Sequence, residues 1–246
     1  MSGKSRLDQH LISLGLFDSR AQAAAAIKAG QVRVDGQPAR KASQNVSVDA
    51  VIEAQAAHDY VSRGGLKLAA GLAHFGYPVE GRTALDVGAS TGGFTDVLLR
   101  HNAAHIYAVD VGHGQLHQRL QADPRVSDRQ GVNARYLTAD MFDRPLQVLV
   151  CDASFISLHL VLAGALDLMH SDAWLLALIK PQFEVGRDKL GKNGVVSDAT
   201  LRQEACDRVV AWLRAHPSGW QVDGVMESPI RGPRGNVEYI VAARRI

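Results

Sequence analysis

Apolar residues recur at helical intervals over the first thirty positions of the chain. Leucines are spaced three or four residues apart at Leu7, Leu11 and Leu14. Ser5 and Asp8 have the spacing of a capping box, which predicts a helix beginning there. Ser19 and Gln22 form a second such pair, and Gly30 is expected to end the helix that follows.

Beyond Gly30 the interval between apolar residues shortens to two. The segment 32–34 alternates between valine and arginine, which predicts a strand, and Asp35-Gly36 is typical of a tight hairpin turn. Residues 46–48 predict a further short strand. These elements predict a small α/β domain over residues 1–58, which includes a short linker rich in alanine.

Strand-like and helical stretches alternate through the second predicted domain, residues 59–246. Its strand-like runs are 83–87, 105–110, 147–152, 173–180 and 237–243. This alternation predicts an α/β fold with a parallel sheet that is covered by helices on both faces.

The composition excludes several classes of protein. Among 246 residues, 46% are hydrophobic and 21% are charged, which argues against disorder. Two cysteines without C-x-x-C spacing argue against a disulfide framework or a cysteine zinc site, and we expect no metal. The longest uncharged apolar stretch, 153–166, is shorter than the roughly 20 residues of a membrane span, and no signal peptide is evident. We expect a cytoplasmic protein without a membrane partner.

The first 45 residues carry seven basic and three acidic side chains, which gives this segment a net charge of +4. The whole chain has a formal net charge of only +2. Arg6 and Arg20 open the two predicted helices, and Arg33 points away from its flanking valines. The three can therefore share one exposed, phosphate-binding surface, with a merely solvated face as the alternative.

The same segment resembles the αL RNA-binding module of the S-four ribosomal-protein type. The residues that carry the resemblance are Arg6-Leu-Asp8, Leu11, Gly15-Leu16, Ser19-Arg20, Ala23, Ile27, Gly30, Val32-x-Val34 and Gly36. Asp35 replaces a more frequent Asn, and both residues suit the turn. The resemblance implies RNA binding, and the candidate contacts are Arg6, Arg20, Lys28, Arg33, Lys41 and Arg63.

A loop of small residues, 88–93, follows the first strand of the second segment. Small residues let a ligand approach the backbone, and the helix that follows offers free N–H groups. Asp110 ends the next strand, where the ribose of a nucleotide-like ligand is bound. The loop lacks the G-x-G-x-x-G spacing that is typical of dinucleotide sites. Together, the loop and Asp110 fit S-adenosylmethionine as well as a dinucleotide.

The loop also matches the G-x-S-x-G motif of serine hydrolases. Ser90 would be the nucleophile, with Asp152 and one of His159, His170 or His216 as partners. That motif normally follows several strands of the sheet, whereas this loop follows the first, and no His-Gly-Gly segment precedes it. We therefore favour ligand binding over hydrolysis. A tight turn without any ligand is a further alternative.

Charged residues stand at the ends of several predicted elements. Asp152 and Lys180 each follow a buried strand, and the carboxyl ends of parallel strands form the ligand-binding edge of open sheets. This placement predicts a functional pair. Lys67, near the start of a helix, and Glu238, before the last strand, could each be either a cap or a catalytic residue.

The second segment resembles the TlyA family, whose catalytic domain is similar to that of FtsJ-type RNA 2′-O-methyltransferases. The motifs that carry the resemblance lie at 60–67, 85–96, 109–112, 133–135, 152–157, 180–183 and 235–238. His113 stands where the family more often has Tyr. The resemblance implies a Rossmann-like α/β fold, with a mostly parallel sheet and a late antiparallel strand. It also implies a Lys-Asp-Lys-Glu tetrad, matched here by Lys67, Asp152, Lys180 and Glu238.

The resemblance further implies S-adenosyl-L-methionine as methyl donor and a ribosomal RNA cytidine as acceptor. The residues that it places at the cofactor are Gly88, Ala89, Ser90, Gly92, Gly93, Phe94, Thr95, Asp110, Val111, Asn133 and Ala134. Proteins of this family occur in a longer and a shorter form, and the short termini of this chain resemble the shorter form, which acts on the large subunit. Because relatives have been called haemolysins, membrane lysis is an alternative function.

The tetrad would have to align a ribose hydroxyl with the methyl group and accept one proton. Lys180 is our candidate base. A free lysine amine has a pKa of about 10.4, so its neutral form requires burial or a neighbouring ammonium such as that of Lys67. Asp152 and Glu238 favour the charged form. A charged Lys180 that only orients the hydroxyl is therefore the alternative.

Overall fold

The fold is known from a computed structural model, which describes residues 3–14, 16–17, 19–54 and 59–246. The chain forms two compact units, Met1–Arg63 and Gly64–Ile246. The expected boundary after residue 58 falls beside the segment 55–58, which lies outside the described residues. Gly15 of the N-terminal motif lies outside them as well.

Short elements build the N-terminal unit. They are β1 (Lys4–Arg6), α1 (Leu7–Ser13), α2 (Arg20–Lys28), β2 (Val32–Val34), β3 (Gln37–Pro38), β4 (Asn45–Ser47) and β5 (Ile52–Ala54). Strands β3, β2 and β5 form one antiparallel sheet, and β1 pairs with β4. Both helices bury one face in a small core that includes Leu7, Leu11, Phe17, Ile27 and Val32.

Helix α2 begins and ends where the sequence predicts. The Ser19 hydroxyl accepts a hydrogen bond from the backbone N–H of Gln22. Gly30 has a φ of +74°, its N–H donates to Ile27 and the next N–H donates to Ala26, which is a Schellman motif. Local capping chemistry therefore determines this helix.

The predicted hairpin is also confirmed. Asp35 and Gly36 have φ values of 49° and 74°, and they connect Val34 to its cross-strand partner Gln37. Positive φ at both central positions defines the type I′ turn that suits twisted strands. The strand expected at 46–48 is present one residue earlier.

The first predicted capping box is wrong. Ser5 lies within strand β1, where it pairs with Val46, and helix α1 begins two residues later at Leu7. Arg6 occupies the N-cap position, and its side chain makes no capping bond. The carboxylate of Asp8 accepts hydrogen bonds from Gln9 N and from the side chain of Arg6.

The second unit is built around a seven-stranded sheet. Its strands are β6 (Thr83–Val87), β7 (His105–Asp110), β8 (Val126–Gln130), β9 (Leu146–Cys151), β10 (Met169–Ile179), β11 (Trp220–Glu227) and β12 (Tyr239–Arg245). Its α-helices are α3 (Gly64–Phe75), α4 (Gly93–Arg100), α5 (Gln118–Gln121), α6 (Leu158–Asp167), α7 (Pro181–Glu184) and α8 (Ala199–Arg214).

The strand order is β11-β12-β10-β9-β6-β7-β8, and β12 runs antiparallel to both of its neighbours. The pairs from β10 through β8 are parallel. The five predicted strands are confirmed as the inner five of the sheet. The two that the sequence analysis missed, β8 and β11, are its edges. This is the predicted Rossmann-like α/β fold with a late antiparallel strand.

Candidate active site

Four charged side chains meet at the carboxyl edge of the parallel strands. Asp152 follows β9 and Lys180 follows β10, which are neighbours in the sheet. Because β12 is antiparallel, its beginning pairs with the end of β10, and Glu238 therefore reaches the same edge. Lys67 comes from the first turn of α3. The antiparallel strand thus completes a cluster that parallel strands alone would leave open.

Three oxygen atoms surround the ammonium nitrogen of Lys180. Its Nζ lies 2.6 Å from Asp152 Oδ1 and donates to the Asp152 carbonyl at 3.1 Å and to Ser154 Oγ at 2.8 Å. Lys180 is only 6% exposed. A buried charge is stable only when paired, so these contacts hold Lys180 and the Asp152 segment together.

Lys67 forms the second half of the cluster. Its Nζ lies 2.6 Å from Glu238 Oε2 and 3.9 Å from Asp152 Oδ2. Glu238 is 1% exposed. Asp152 thus lies between the two lysines, and two ammonium groups balance two carboxylates. The structure brings all four predicted tetrad residues together.

Two glycines allow the backbone to approach this cluster closely. A Cβ at Gly232 would overlap the Glu238 carboxylate, and a Cβ at Gly88 would lie 2.9 Å from Ala153 Cα. Gly88 also has a φ of +79°, which disfavours any other residue. Gly232 had no predicted role in the site, and its close approach to Glu238 reveals one.

A cleft of about 480 Å³ opens beside Asp152, between the loops that follow β6, β7 and β9. It is lined by six of the predicted cofactor residues, Gly88, Ser90, Asp110, Val111, Asn133 and Ala134. Residues without a predicted role at the cofactor also line the cleft, including Gln115, Val132, Arg135, Ser154, Phe155 and Ile156. Four of these six belong to the motifs at 133–135 and 152–157, and that membership was the available sequence signal.

Asp110 is held rigidly at the wall of the cleft. Its Oδ2 accepts a hydrogen bond from Ser90 N at 2.9 Å, and its Oδ1 accepts one from Gly112 N at 2.7 Å. Each carboxylate oxygen can accept a second bond, so the group is suited to bind a pair of ribose hydroxyls. On the same wall, the Asn133 side chain accepts from Arg135 N and closes a short turn.

Five other predicted cofactor residues are not among the described residues that line the cleft: Ala89, Gly92, Gly93, Phe94 and Thr95. Gly92 has a φ of +92° at the start of α4, and a Cβ there would overlap Leu116 and Leu120. Phe94 and Thr95 are buried.

Asp86 is a fully buried carboxyl beneath the glycine loop. Its Oδ2 accepts a hydrogen bond from Thr95 Oγ1 at 2.7 Å, while Oδ1 has no partner among the described residues. The pKa of Asp86 is raised to about 7: burial is the main cause, the hydrogen bond from Thr95 opposes it, and the nearby charge of Asp152 adds a smaller rise. An aspartate within an apolar strand was the sequence signal for this residue.

The segments after β9 and β10 are joined at two further points. The ring centroids of Phe155 and Phe183 lie 5.2 Å apart, and the backbone N–H of Leu158 donates a hydrogen bond to Glu184 Oε1 at 2.8 Å. Burial raises the pKa of Glu184. These contacts fix the loops that carry Asp152 and Lys180.

The geometry offers no support for the hydrolase alternative. His170 Nδ1 lies 2.6 Å from Asp172, and His216 Nδ1 lies 2.7 Å from Ser218. Within the part of the chain that the structure describes, no hydrogen bond joins Ser90 to any of the three candidate histidines. Across the same residues there is no cluster of metal-ligating side chains, and none of the helices has both the length and the apolar character of a membrane span.

Two arginines share one buried carboxylate in the N-terminal unit. Arg6 Nη2 and Arg20 Nη2 lie 2.9 and 2.8 Å from Asp8 Oδ2, and the arginine side chains remain 42% and 55% exposed. The hydrogen bond from Arg6, followed by that from Arg20, lowers the pKa of Asp8. The pair keeps an excess positive charge at the surface. The remaining candidate RNA contacts are all exposed: Lys28, Arg33, Lys41 and Arg63.

The chain is similar to several known proteins. It is 45% identical to the 16S/23S rRNA (cytidine-2′-O)-methyltransferase TlyA of Mycobacterium tuberculosis over 99% of this chain and 91% of that protein. It is 35% identical to the 23S rRNA (cytidine-2′-O)-methyltransferase TlyA of Campylobacter jejuni over 73% of this chain and 69% of that one.

Solved structures show the same architecture. A candidate hemolysin from Streptococcus thermophilus superimposes with a TM-score of 0.78 at 36% identity, over 100% of this chain and 90% of that one. An O-methyltransferase from Bacillus cereus in complex with SAH shares the fold at 17% identity, with a TM-score of 0.53 over 77% of this chain and 84% of that one.

Family models match both parts of the chain. Residues 5–52 match the S4 domain, and residues 60–245 match the FtsJ-like methyltransferases. The second match extends from before Lys67 to beyond Glu238 and so includes the whole tetrad. The chain therefore belongs to the FtsJ-like methyltransferase family and, by its identity over nearly the full length, to the TlyA proteins.

Proposed function

We propose that this protein transfers a methyl group from S-adenosylmethionine to the ribose 2′-hydroxyl of a cytidine in ribosomal RNA. The observation that carries the proposal is the position of Asp152, which belongs to the charged tetrad and also lines the cleft. The tetrad therefore adjoins the space in which a methyl donor would be bound. The names of the two TlyA relatives specify the same reaction for those proteins.

The cleft suits the nucleoside part of S-adenosylmethionine. Asp110, preorganised by two backbone N–H groups, would bind the ribose hydroxyls. Val111 and Ala134 would provide apolar contacts for the adenine, with Asn133 nearby. Gly88 brings the loops together without a side chain that would fill the space. The bound cofactor supplies an activated methyl group.

The protein's own residues would then orient the ribose hydroxyl and manage one proton. Among the described residues, Lys67 has a single oxygen neighbour within 3 Å, and it can donate a further hydrogen bond to the hydroxyl oxygen. Lys180, with three oxygen neighbours, has the surroundings of an ammonium. Lys180 can act as a base only in its neutral form, after the ammonium has lost a proton. One of the three oxygen contacts must then be broken to free the nitrogen lone pair.

The S4 domain would position the RNA through its phosphates. Asp8 holds Arg6 and Arg20 side by side, which is the arrangement needed to bind neighbouring phosphate oxygens. The names of both TlyA relatives include 23S rRNA, and only one includes 16S rRNA. We therefore infer that the large subunit is the substrate, and that the enzyme acts in the cytoplasm, where subunits assemble.

Tritiated methyl transfer to purified large and small subunits tests the proposal. We expect incorporation into the large subunit only, at one cytidine that resists alkaline cleavage. The Lys180→Ala variant should bind S-adenosylmethionine normally and incorporate no label. A methylated base would refute the mechanism, and equal labelling of the small subunit would refute the substrate assignment.

A further inference from the structure

The side chain of Lys180 is held by two kinds of oxygen acceptor. Two of them, the carbonyl and the carboxylate of Asp152, only accept hydrogen bonds while the acid is ionised. The third is the hydroxyl of Ser154, which can either accept or donate. Ser154 is therefore the one neighbour among the three that can adapt to both charge states of the amine.

Ser154 is also the more exposed of the two residues that contact Lys180. Lys180 is 6% exposed and Asp152 is half-buried, whereas Ser154 is exposed. The Ser154 hydroxyl is therefore the contact of Lys180 that a ribose hydroxyl can displace with the least rearrangement. Exchange of one hydroxyl for the other leaves the number of contacts at the amine unchanged.

We propose that Ser154 is a positioning residue for methyl transfer: its hydroxyl holds Lys180 Nζ within the tetrad and yields its place to the ribose hydroxyl. This inference rests on the proposed function. The proton leaves the ribose oxygen and joins the neutral amine of Lys180. The freed oxygen pair bonds the methyl carbon, and the pair of the broken carbon–sulfur bond stays on the sulfur. Ser154 itself neither gains nor loses a proton.

Three variants test this role in the full-length protein. Ser154→Ala removes the acceptor at an exposed position, so folding should be preserved. We expect kcat to fall about tenfold, because Lys180 Nζ loses one of the hydrogen bonds that hold it in place. The Kd for S-adenosylmethionine should change less than about twofold, because the lost bond is not made to the cofactor. Ser154→Thr keeps the hydroxyl and should restore most of the rate. Ser157→Ala is the control, because the Ser157 side chain makes no capping bond at the start of α6.

A second measurement does not depend on activity. The titration of Lys180 Nζ can be followed by NMR on protein labelled with 15N-lysine, with the signal assigned through Lys180→Arg. Removal of an acceptor disfavours the ammonium, so the signal in Ser154→Ala should titrate about half a pH unit lower than in the wild type. The midpoint of the pH–rate profile should move in the same direction.

The outcomes separate this inference from the proposed function. An unchanged titration in Ser154→Ala would overturn the positioning role whether or not the wild type methylates RNA. A parallel fall in cofactor affinity and rate would overturn it as well and would make Ser154 a cofactor contact. A wild type that titrates as expected but methylates no ribosomal RNA would refute the proposed function alone.

Discussion

Lys67 and Glu238 are separated by 171 residues in the chain, yet Lys67 Nζ lies 2.6 Å from Glu238 Oε2 in the interior of the second unit. One residue belongs to the first helix of the unit and the other precedes its last strand. Removal of one member of a buried pair leaves the other charge uncompensated. This pair therefore couples the chemistry of the site to the stability of the fold.

Replacement of Lys67 by Met should lower the free energy of unfolding by about 3 kcal/mol, because Glu238 then keeps a buried charge without its close partner. The double variant Lys67→Met/Glu238→Gln should recover a substantial part of that loss. Urea denaturation monitored by circular dichroism measures both effects. Equal stability of the single and double variants would show that the pair is energetically unimportant.

Replacement of Gly232 by Ala should abolish most activity without weakening cofactor binding. The new Cβ would occupy the position of the Glu238 carboxylate and displace it from Lys67. We expect kcat to fall at least about tenfold, as for other losses of positioning near a reacting group. Gly164→Ala is the matched control, since a Cβ there meets only Arg135 O at 3.7 Å. A normal rate in Gly232→Ala would mean that Glu238 need not occupy this position.

Replacement of Asp110 by Ala should weaken S-adenosylmethionine binding by roughly 1.5–3 kcal/mol, the usual worth of hydrogen bonds to a charged group. The Asn variant keeps one acceptor oxygen and should lose less. Isothermal titration calorimetry gives both affinities directly. If the Ala variant binds as tightly as the wild type, the ribose is not bound at Asp110.

The stability of the second unit should depend on pH through Asp86. Its pKa of about 7 lies above the value of about 3.9 for an unfolded aspartate, so between these values the folded protein holds a proton that the unfolded chain has released. The contribution is therefore fully present below about pH 4 and decreases as the pH rises towards 7. Asp86→Asn should remove this decrease, which is worth a few kcal/mol.

Urea unfolding of the wild type and of Asp86→Asn at several pH values measures the effect. Asp140→Asn, at an exposed position, serves as control. A difference between wild type and Asp86→Asn that stays constant across this pH range would contradict the assignment.

Deletion of residues 1–58 should leave a protein that binds S-adenosylmethionine but methylates ribosomal RNA poorly. The deleted part contains Arg6 and Arg20, whose phosphate contacts would supply both affinity and a steep salt dependence. Filter binding at several salt concentrations should show a shallower slope. Normal methylation by the shortened protein would assign the N-terminal unit another role.

Local rules in the sequence determined much of the secondary structure. Helix α2 begins at the Ser19 side-chain cap and ends at Gly30, whose backbone N–H bonds back to the helix. Asp35 and Gly36 form the hairpin turn because both residue types tolerate the positive φ that it requires. The inner strands of the large sheet were predictable because burial on both faces requires uninterrupted apolar runs. The edge strands β8 and β11 were missed because one side of each is unpaired and polar residues interrupt their apolar pattern.

Contacts between distant segments depend on the packing of the folded chain. Ser5 is part of a strand because Val46 pairs with it, and Asp8, which accepts a hydrogen bond from Gln9 N in its own helix, also binds Arg20, twelve residues away. In the active site, motif resemblance supplied the four charged residues but not their pairing. The antiparallel direction of β12 joins Glu238 to Lys67, and the loop after β9 sets Ser154 against Lys180. Spacing along a chain encodes local hydrogen bonds, whereas these pairings depend on how strands and loops pack in three dimensions.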